Sequence, residues 1–167
     1  MTTRIGRIGS AVLAAAFLGS CGESLPPQGD PGLWETTITI ELKPGQGVAA
    51  GSGRSTLCVD AEMAARMRVG AAKTPNCSKR MRRFSGGRLD MASECSADGA
   101  KLVSQTTGSG DFKRSYVLDN HLTVTPPTHG MAEAHTHTVA RWLGPCPNDM
   151  APGDRVMENG VKVKDRD

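Results

Sequence analysis

Residues 77–95 read CSKRMRRFSGGRLDMASEC, in which Ser85-Gly86-Gly87 separates two eight-residue stretches. A three-residue loop centred on a glycine is a common connection between two antiparallel strands. The stretch therefore predicts a β-hairpin that places Met81 opposite Met91. Short stretches of strand-like sequence, separated by turn residues, continue on both sides of this hairpin, so the chain reads as an antiparallel meander.

Four cysteines lie downstream of the N-terminal segment: Cys58, Cys77, Cys95 and Cys146. In an oxidising compartment four cysteines indicate two disulfides, with three possible connectivities. The hairpin places Cys77 opposite Cys95, and facing residues of a non-hydrogen-bonded pair are close enough to bridge. This favours Cys77–Cys95 and leaves Cys58–Cys146. A zinc site is the alternative, but no two of these cysteines have a Cys-x-x-Cys spacing.

The first 21 residues indicate how the chain reaches that compartment. Arg4 and Arg7 precede an apolar run from about Ile8 to Leu18, as in a secretory signal, and the run is too short to span a bilayer. It ends in Leu18-Gly19-Ser20-Cys21, the pattern of a lipoprotein cleavage site. We therefore expect a signal peptide over 1–20 and a diacylglycerol on Cys21. An ordinary signal peptide with a chance cysteine is the alternative.

Acylation of Cys21 would anchor the mature chain to the lipid bilayer, because two or three acyl chains give stable attachment. Gly22 follows Cys21, at a position where an aspartate would favour retention in the inner membrane. By resemblance to Gram-negative lipoproteins, the glycine predicts the periplasmic face of the outer membrane. Residues 1–20 contain Arg4 and Arg7 and no acid, so 18 Lys and Arg against 17 Asp and Glu leave a net charge of +1. Such a charge gives no reason to propose a nucleic-acid partner.

The chain beyond Cys21 predicts a Gly- and Pro-rich tether over 21–31 and a single β domain over 32–167. Trp34, Ile38 and Ile40 fall on one face of a first strand at 32–41. Further strands are predicted at about 54–59, 101–107, 112–125 and 133–143, with one helix at 61–69 and a terminal hairpin over 155–164. We expect a mainly β fold: a curved sheet or partly closed barrel with one short helix and two disulfides. Trp34 and Trp142 are expected to anchor its core where the first and last strands meet.

His135-Thr136-His137 is the best candidate for chemistry, because residues two apart in a strand project to the same face. With His129 as a third ligand, the two imidazoles could bind zinc or copper. The alternative is an exposed polar face.

Lys79-Arg80-Met81-Arg82-Arg83 is a dense basic run that could rest against anionic lipid head groups. A solvated strand edge, with the charges divided between two faces, is the alternative. Catalytic motifs such as Gly-x-Ser-x-Gly, a Walker loop and His-Glu-x-x-His do not occur in the chain. We therefore expect a protein that is not an enzyme.

Several landmarks together resemble the bacterial domain-of-unknown-function family 3617. They are Pro31-Gly32-Leu33-Trp34-Glu35, Leu57-Cys58-Val59, the hairpin between Cys77 and Cys95, Ser109-Gly110-Asp111-Phe112, and residues 140–147, ARWLGPCP. The resemblance covers about residues 31–165 and implies a secreted or lipid-anchored envelope protein. The family has no assigned activity, so the resemblance implies no chemistry.

The leading hypothesis is a membrane-anchored periplasmic lipoprotein that binds an envelope protein or a small ligand, or serves as a structural module. The alternative is a zinc- or copper-binding protein that uses His135, His137 and His129. A third hypothesis is a carrier of an apolar ligand within a barrel.

Overall fold

The computed structural model describes residues 24–42, 50–70, 76–128 and 130–164, which form one antiparallel sheet with one short helix. The strands, in chain order, are β1 (Gly32–Leu42), β2 (Gly51–Val59), β3 (Cys77–Ser85), β4 (Arg88–Ala97), β5 (Ala100–Gly110), β6 (Ser115–Thr128), β7 (Met131–Gly144), β8 (Asp154–Met157) and β9 (Lys162–Lys164). The helix, α1 (Ala61–Arg66), follows β2.

The sheet is an open meander with the order β3-β4-β5-β6-β7-β1-β2-β8-β9. The first strand, β1, pairs with the last long strand, β7, and Trp34 faces Trp142 across that pair, as the sequence predicted. β3 and β9 form the two edges of the sheet. The fold is therefore the mainly β, antiparallel sheet that the sequence predicted, whereas the described residues do not close into a barrel.

The hairpin of β3 and β4 differs from its prediction in register. Gly86 and Gly87, with φ values of 57° and 75°, form a two-residue turn, because consecutive positive φ angles suit the twist of a tight hairpin. Met81 therefore faces Ala92, and its predicted pairing with Met91 is wrong. A bulge between Cys77 and Lys79 shifts the register back.

Both predicted disulfides are present. Cys77 pairs with Cys95 beyond the bulge and forms the hairpin disulfide. The long-range disulfide joins Cys58 of β2 to Cys146, just after β7.

Several other boundaries also differ from those predicted; β2, for example, begins at Gly51 instead of 54, and β5 ends at Gly110 instead of 107. The helix ends at Arg66, with Met67 as its C-cap, and is shorter than the predicted 61–69. At its start the Asp60 carboxylate accepts a hydrogen bond from the Met63 amide at 2.8 Å, as expected of an N-cap. β6 begins at Ser115 instead of 112, because the Asp111 carboxylate accepts hydrogen bonds from three following amides and closes a turn there.

We call the face of the sheet that carries Trp34 the inner face, and the opposite one the outer face. Trp34, Leu57 and Ala140 are buried on the inner face beneath Ala64 of the helix. A row of rings extends this core along the sheet, with Phe84, Phe112, Tyr116 and Trp34 at successive centroid distances of 5.3, 5.4 and 6.0 Å. The core is thin, and the helix and rings cover only part of the inner face.

Residues 24–31, which the sequence assigned to the tether, pack against the sheet. Pro26 is fully buried. The Ser24 hydroxyl donates to the Phe84 carbonyl at 2.7 Å and accepts from the Phe84 amide at 2.9 Å. The Arg68 guanidinium donates to the carbonyls of Leu25 and Pro26. This segment is therefore part of the folded domain.

Candidate functional site

The inner face holds a pocket of about 250 Å³ between the sheet and the segment that follows the helix, which we call the apolar pocket. Trp34, Ile38 and Tyr116 contribute to its walls from the sheet, and Met67 contributes from the helix end. Ile38 and Met67 line this pocket, yet their side chains are 40 % and 51 % exposed, which is high for apolar residues. The pocket therefore offers apolar surface that the protein itself does not fill.

Polar groups surround this apolar surface. Arg68 and Arg155 line the pocket, and the Arg155 guanidinium donates to the Ser55 hydroxyl at 2.9 Å. Burial raises the pKa of the Tyr116 phenol above its usual value of 10.0, so the ring stays neutral. The arrangement suits a small, mainly apolar molecule with a polar or negatively charged end.

A second pocket, of about 180 Å³, lies on the inner face near the β3 edge, and we call it the basic pocket. Arg80 and Arg82 line it from β3, opposite Ser104 and Thr106 of β5. The basic run is thus divided between the two faces, as expected of a strand, because Arg83 alternates with Arg82 and projects to the outer face.

His135 and His137 share the outer face, as predicted. The Asp119 carboxylate lies 2.7 Å from His137 Nδ1 and 3.8 Å from His135 Nε2. The sheet also brings His121 opposite His135, with its Nε2 2.7 Å from the Glu133 carboxylate. Sequence analysis missed His121, because its position depends on how β6 and β7 pair.

The predicted metal site stays a prediction. Within the described ranges, no group of three or more His, Cys, Asp or Glu residues is arranged to hold a metal ion. His129, the proposed third ligand, lies outside the described residues. The interactions seen at His121 and His137 are with the carboxylates of Glu133 and Asp119.

Two of the landmarks that carry the family resemblance, residues 31–35 and 140–147, meet where β1 pairs with β7. The Trp142 indole donates to the Pro31 carbonyl at 3.0 Å, and the Arg141 guanidinium lies 3.1 Å from the Glu35 carboxylate. A Cβ on Gly32 would lie 2.3 Å from the Gly144 carbonyl oxygen and 2.4 Å from the Trp142 indole nitrogen. These residues hold the centre of the sheet together.

Arg114 extends this cluster. Its guanidinium lies 4.7 Å from the Trp142 ring centroid and 2.9 Å from the Asp30 carboxylate. The Asp111 carboxylate that orders this turn accepts hydrogen bonds from the amides of Arg114, Ser115 and Lys113, and these lower its pKa below the usual 3.8. The turn over 111–115 thereby joins the N-terminal segment to β7.

The described residues thus form an open antiparallel β-sheet domain with two disulfides, a partly covered inner face and two small pockets. The chain belongs to the family described as "Protein of unknown function (DUF3617)", which matches residues 29–146. No curated protein and no solved structure matched the chain. The matched region begins just before β1 and ends at the cysteine of the long-range disulfide. Among the described residues, no helix is both long and apolar enough to cross a membrane.

Proposed function

We propose that the chain is a membrane-anchored lipoprotein of the cell envelope that binds a small, mainly apolar ligand in the apolar pocket. The observation that carries the proposal is the apolar pocket, in which Ile38 and Met67 expose apolar surface beside Arg68 and Arg155. Non-enzymatic binding fits the absence of a catalytic motif from the sequence. The anchor is supported by Leu18-Gly19-Ser20-Cys21 and the apolar run before it.

The size and lining of the pocket define the class of ligand. Its volume of about 250 Å³ is slightly below the roughly 300–1,000 Å³ of sites that hold drug-sized molecules. We therefore expect a single ring system or a short acyl chain. The positive charges of Arg68 and Arg155 favour a ligand with a negatively charged end.

The binding proposal is tested with anilinonaphthalene sulfonate, a fluorescent probe with an apolar body and one negative charge. Ile38→Trp would fill the pocket and abolish the fluorescence gain. Val139→Trp is the matched control, because Ile38 and Val139 are both 40 % exposed and lie on opposite faces of neighbouring strands. Equal probe binding by the two variants would contradict the proposal.

The anchor is tested by the intact mass of the protein recovered from membranes. We expect a chain that begins at Cys21 and carries a diacylglycerol and a further acyl chain. Cys21→Ser should leave the signal segment attached and remove the lipid. A mature chain that begins elsewhere, or that has no lipid, would rule out this part of the proposal while leaving the ligand site to be judged by its own assay.

A further inference from the structure

Two neighbouring rows of side chains cross the inner face from β3 to β6, and their members on β3, β4 and β5 line the basic pocket. One row consists of Arg82, Met91, Thr106 and Asn120, and the next consists of Arg80, Ser93, Ser104 and Leu122. Facing residues in such rows lie about 4.5–5.5 Å apart. Two arginines and three residues with hydroxyl groups, Ser93, Ser104 and Thr106, therefore line one cavity.

Two of the hydroxyl groups of this cavity accept hydrogen bonds from Asn120. The Asn120 side-chain amide donates to Ser104 Oγ at 2.7 Å and to Thr106 Oγ1 at 2.8 Å. A hydroxyl that accepts one hydrogen bond still has its own hydrogen to donate. Asn120 thus leaves Ser104 and Thr106 with O–H donors for a group on the β3 side.

The residues around these hydroxyl groups carry a net positive charge. None of the described residues that line the basic pocket is an aspartate or glutamate. The hairpin over 77–97 contains five Lys and Arg against two acids, a net charge of +3, whereas the whole chain from Cys21 has a net charge of +1. Positive charge is therefore concentrated on the hairpin that forms one wall of this cavity.

We propose that the basic pocket binds a phosphate group, carried as a monoester or diester. A phosphate presents several acceptor oxygens, and guanidinium groups bind these oxygens through paired hydrogen bonds. Arg80 and Arg82 would hold the charged oxygens, and Ser104 and Thr106 would donate to the same group. The cavity of about 180 Å³ has room for the phosphate and a small substituent. The proposal does not depend on the ligand of the apolar pocket.

The phosphate could come from a soluble ester or from a lipid head group, and the chain's attachment favours the lipid. Ser24 is bound to Phe84, which lies two residues beyond Arg82 in β3. Cys21 precedes Ser24 by three residues, a span of at most about 10 Å. If Cys21 is acylated as proposed above, the basic pocket lies close to the bilayer surface.

Calorimetry on the full-length protein in nonionic detergent, at constant ionic strength, tests the site with glycerol 3-phosphate as the probe. We expect Arg82→Gln to weaken binding about 10- to 100-fold, because it removes hydrogen bonds from a charged group. Arg83→Gln is the matched control, since it removes the same charge from the next residue on the opposite face and should weaken binding by at most about threefold.

Repeating the titration in micelles that contain phosphatidylglycerol distinguishes the two sources. Weaker binding of glycerol 3-phosphate there identifies a lipid head group as the occupant, and unchanged binding identifies a soluble ester. If Arg82→Gln does not fold, Thr106→Val, which keeps the shape of the side chain, should reduce affinity severalfold. No binding at millimolar glycerol 3-phosphate, or equal losses in Arg82→Gln and Arg83→Gln, would overturn the proposal. Both results are independent of whether Cys21 is acylated.

Discussion

Replacing Gly32 with alanine should destabilise the protein more than almost any other single-methyl change. The φ of Gly32 is 139°, a conformation that L residues rarely adopt and that costs about 1–3 kcal/mol. The new Cβ would lie 2.3 Å from the Gly144 carbonyl oxygen, and relieving such overpacking costs about 1–3 kcal/mol more. Displacing the Trp142 indole would also break its hydrogen bond to Pro31, worth about 0.5–1.5 kcal/mol.

These terms give an expected loss of about 2.5–7.5 kcal/mol from a total stability of about 5–15 kcal/mol. The melting temperature should fall by about 5–30 °C, at about 2–4 °C per kcal/mol for a domain of this size. Urea unfolding, followed by the fluorescence of Trp34 and Trp142, measures the change, since these are the two tryptophans of the chain.

Gly53→Ala is the matched control for this measurement, because β1 and β2 pair through both Gly32 and Gly53. No heavy atom lies within 4 Å of a Cβ on Gly53, so alanine there should leave stability unchanged or raise it by up to about 1 kcal/mol. A loss below about 1 kcal/mol for Gly32→Ala, or equal effects of the two changes, would refute the reasoning, since a residue in this conformation should cost at least that much.

Three further outcomes are expected. Replacing both cysteines of the long-range disulfide, which are 88 residues apart, by alanine should cost about 4–5 kcal/mol in urea unfolding, against about 3 kcal/mol for the hairpin disulfide, whose cysteines are 18 apart. The larger loss is expected for the disulfide that closes the longer loop. A larger loss for the hairpin disulfide would contradict this reasoning. Tyr116 is the only tyrosine of the chain, so the ultraviolet absorbance of its phenolate reports its pKa, which should lie above the usual 10.0 because the ring is buried. The stability that depends on the neutral phenol should be lost as the pH rises beyond that value. Folding lowers the pKa of Asp111. The stability that its carboxylate contributes is therefore present above pH 3.8 and is lost as the pH falls through the lower pKa of the folded state. In Asp111→Asn the free energy of unfolding should therefore fall less steeply as the pH is lowered. The same dependence of this free energy on pH in the two proteins would exclude this role of Asp111.

The sequence predicted the hairpin disulfide correctly although it predicted the register beside it wrongly. Glycine pairs and alternating side chains identify a hairpin, but the choice between a two- and a three-residue loop depends on backbone angles. Here Gly86 and Gly87 both adopt positive φ, and the bulge after Cys77 compensates for the shorter loop. Spacing along the chain therefore identifies the strands that pair, but it is a poorer guide to the side chains that face each other across the pair.

The register between β6 and β7 was beyond sequence reasoning for the same physical reason. His135 and His137 could be assigned to one face from their spacing alone. His121 joins them only because β6 and β7 pair with a register irregularity between Thr123 and Thr128, which no local pattern indicates. The packing of residues 24–31 was missed because Gly- and Pro-rich composition is typical of a tether, and it does not show that Ser24 can bind the edge of β3.

The residues that mark the family and the residues that line the pockets overlap in part, since Trp34, Leu57 and Val59 belong to both sets. Gly32, Glu35 and Trp142 fasten β1 to β7, and of the residues in this cluster only Trp34 also contributes to the apolar pocket. Arg80 and Arg82 of the basic pocket lie within the hairpin between Cys77 and Cys95, whereas Ser104 and Thr106 lie outside the motifs that carry the resemblance. Membership of the family therefore accounts for the sheet and its disulfides, whereas ligand choice depends on side chains that can change without disturbing β1 and β7. Proteins that share the motif but differ at Ile38 or Arg82 should keep this fold and bind different molecules.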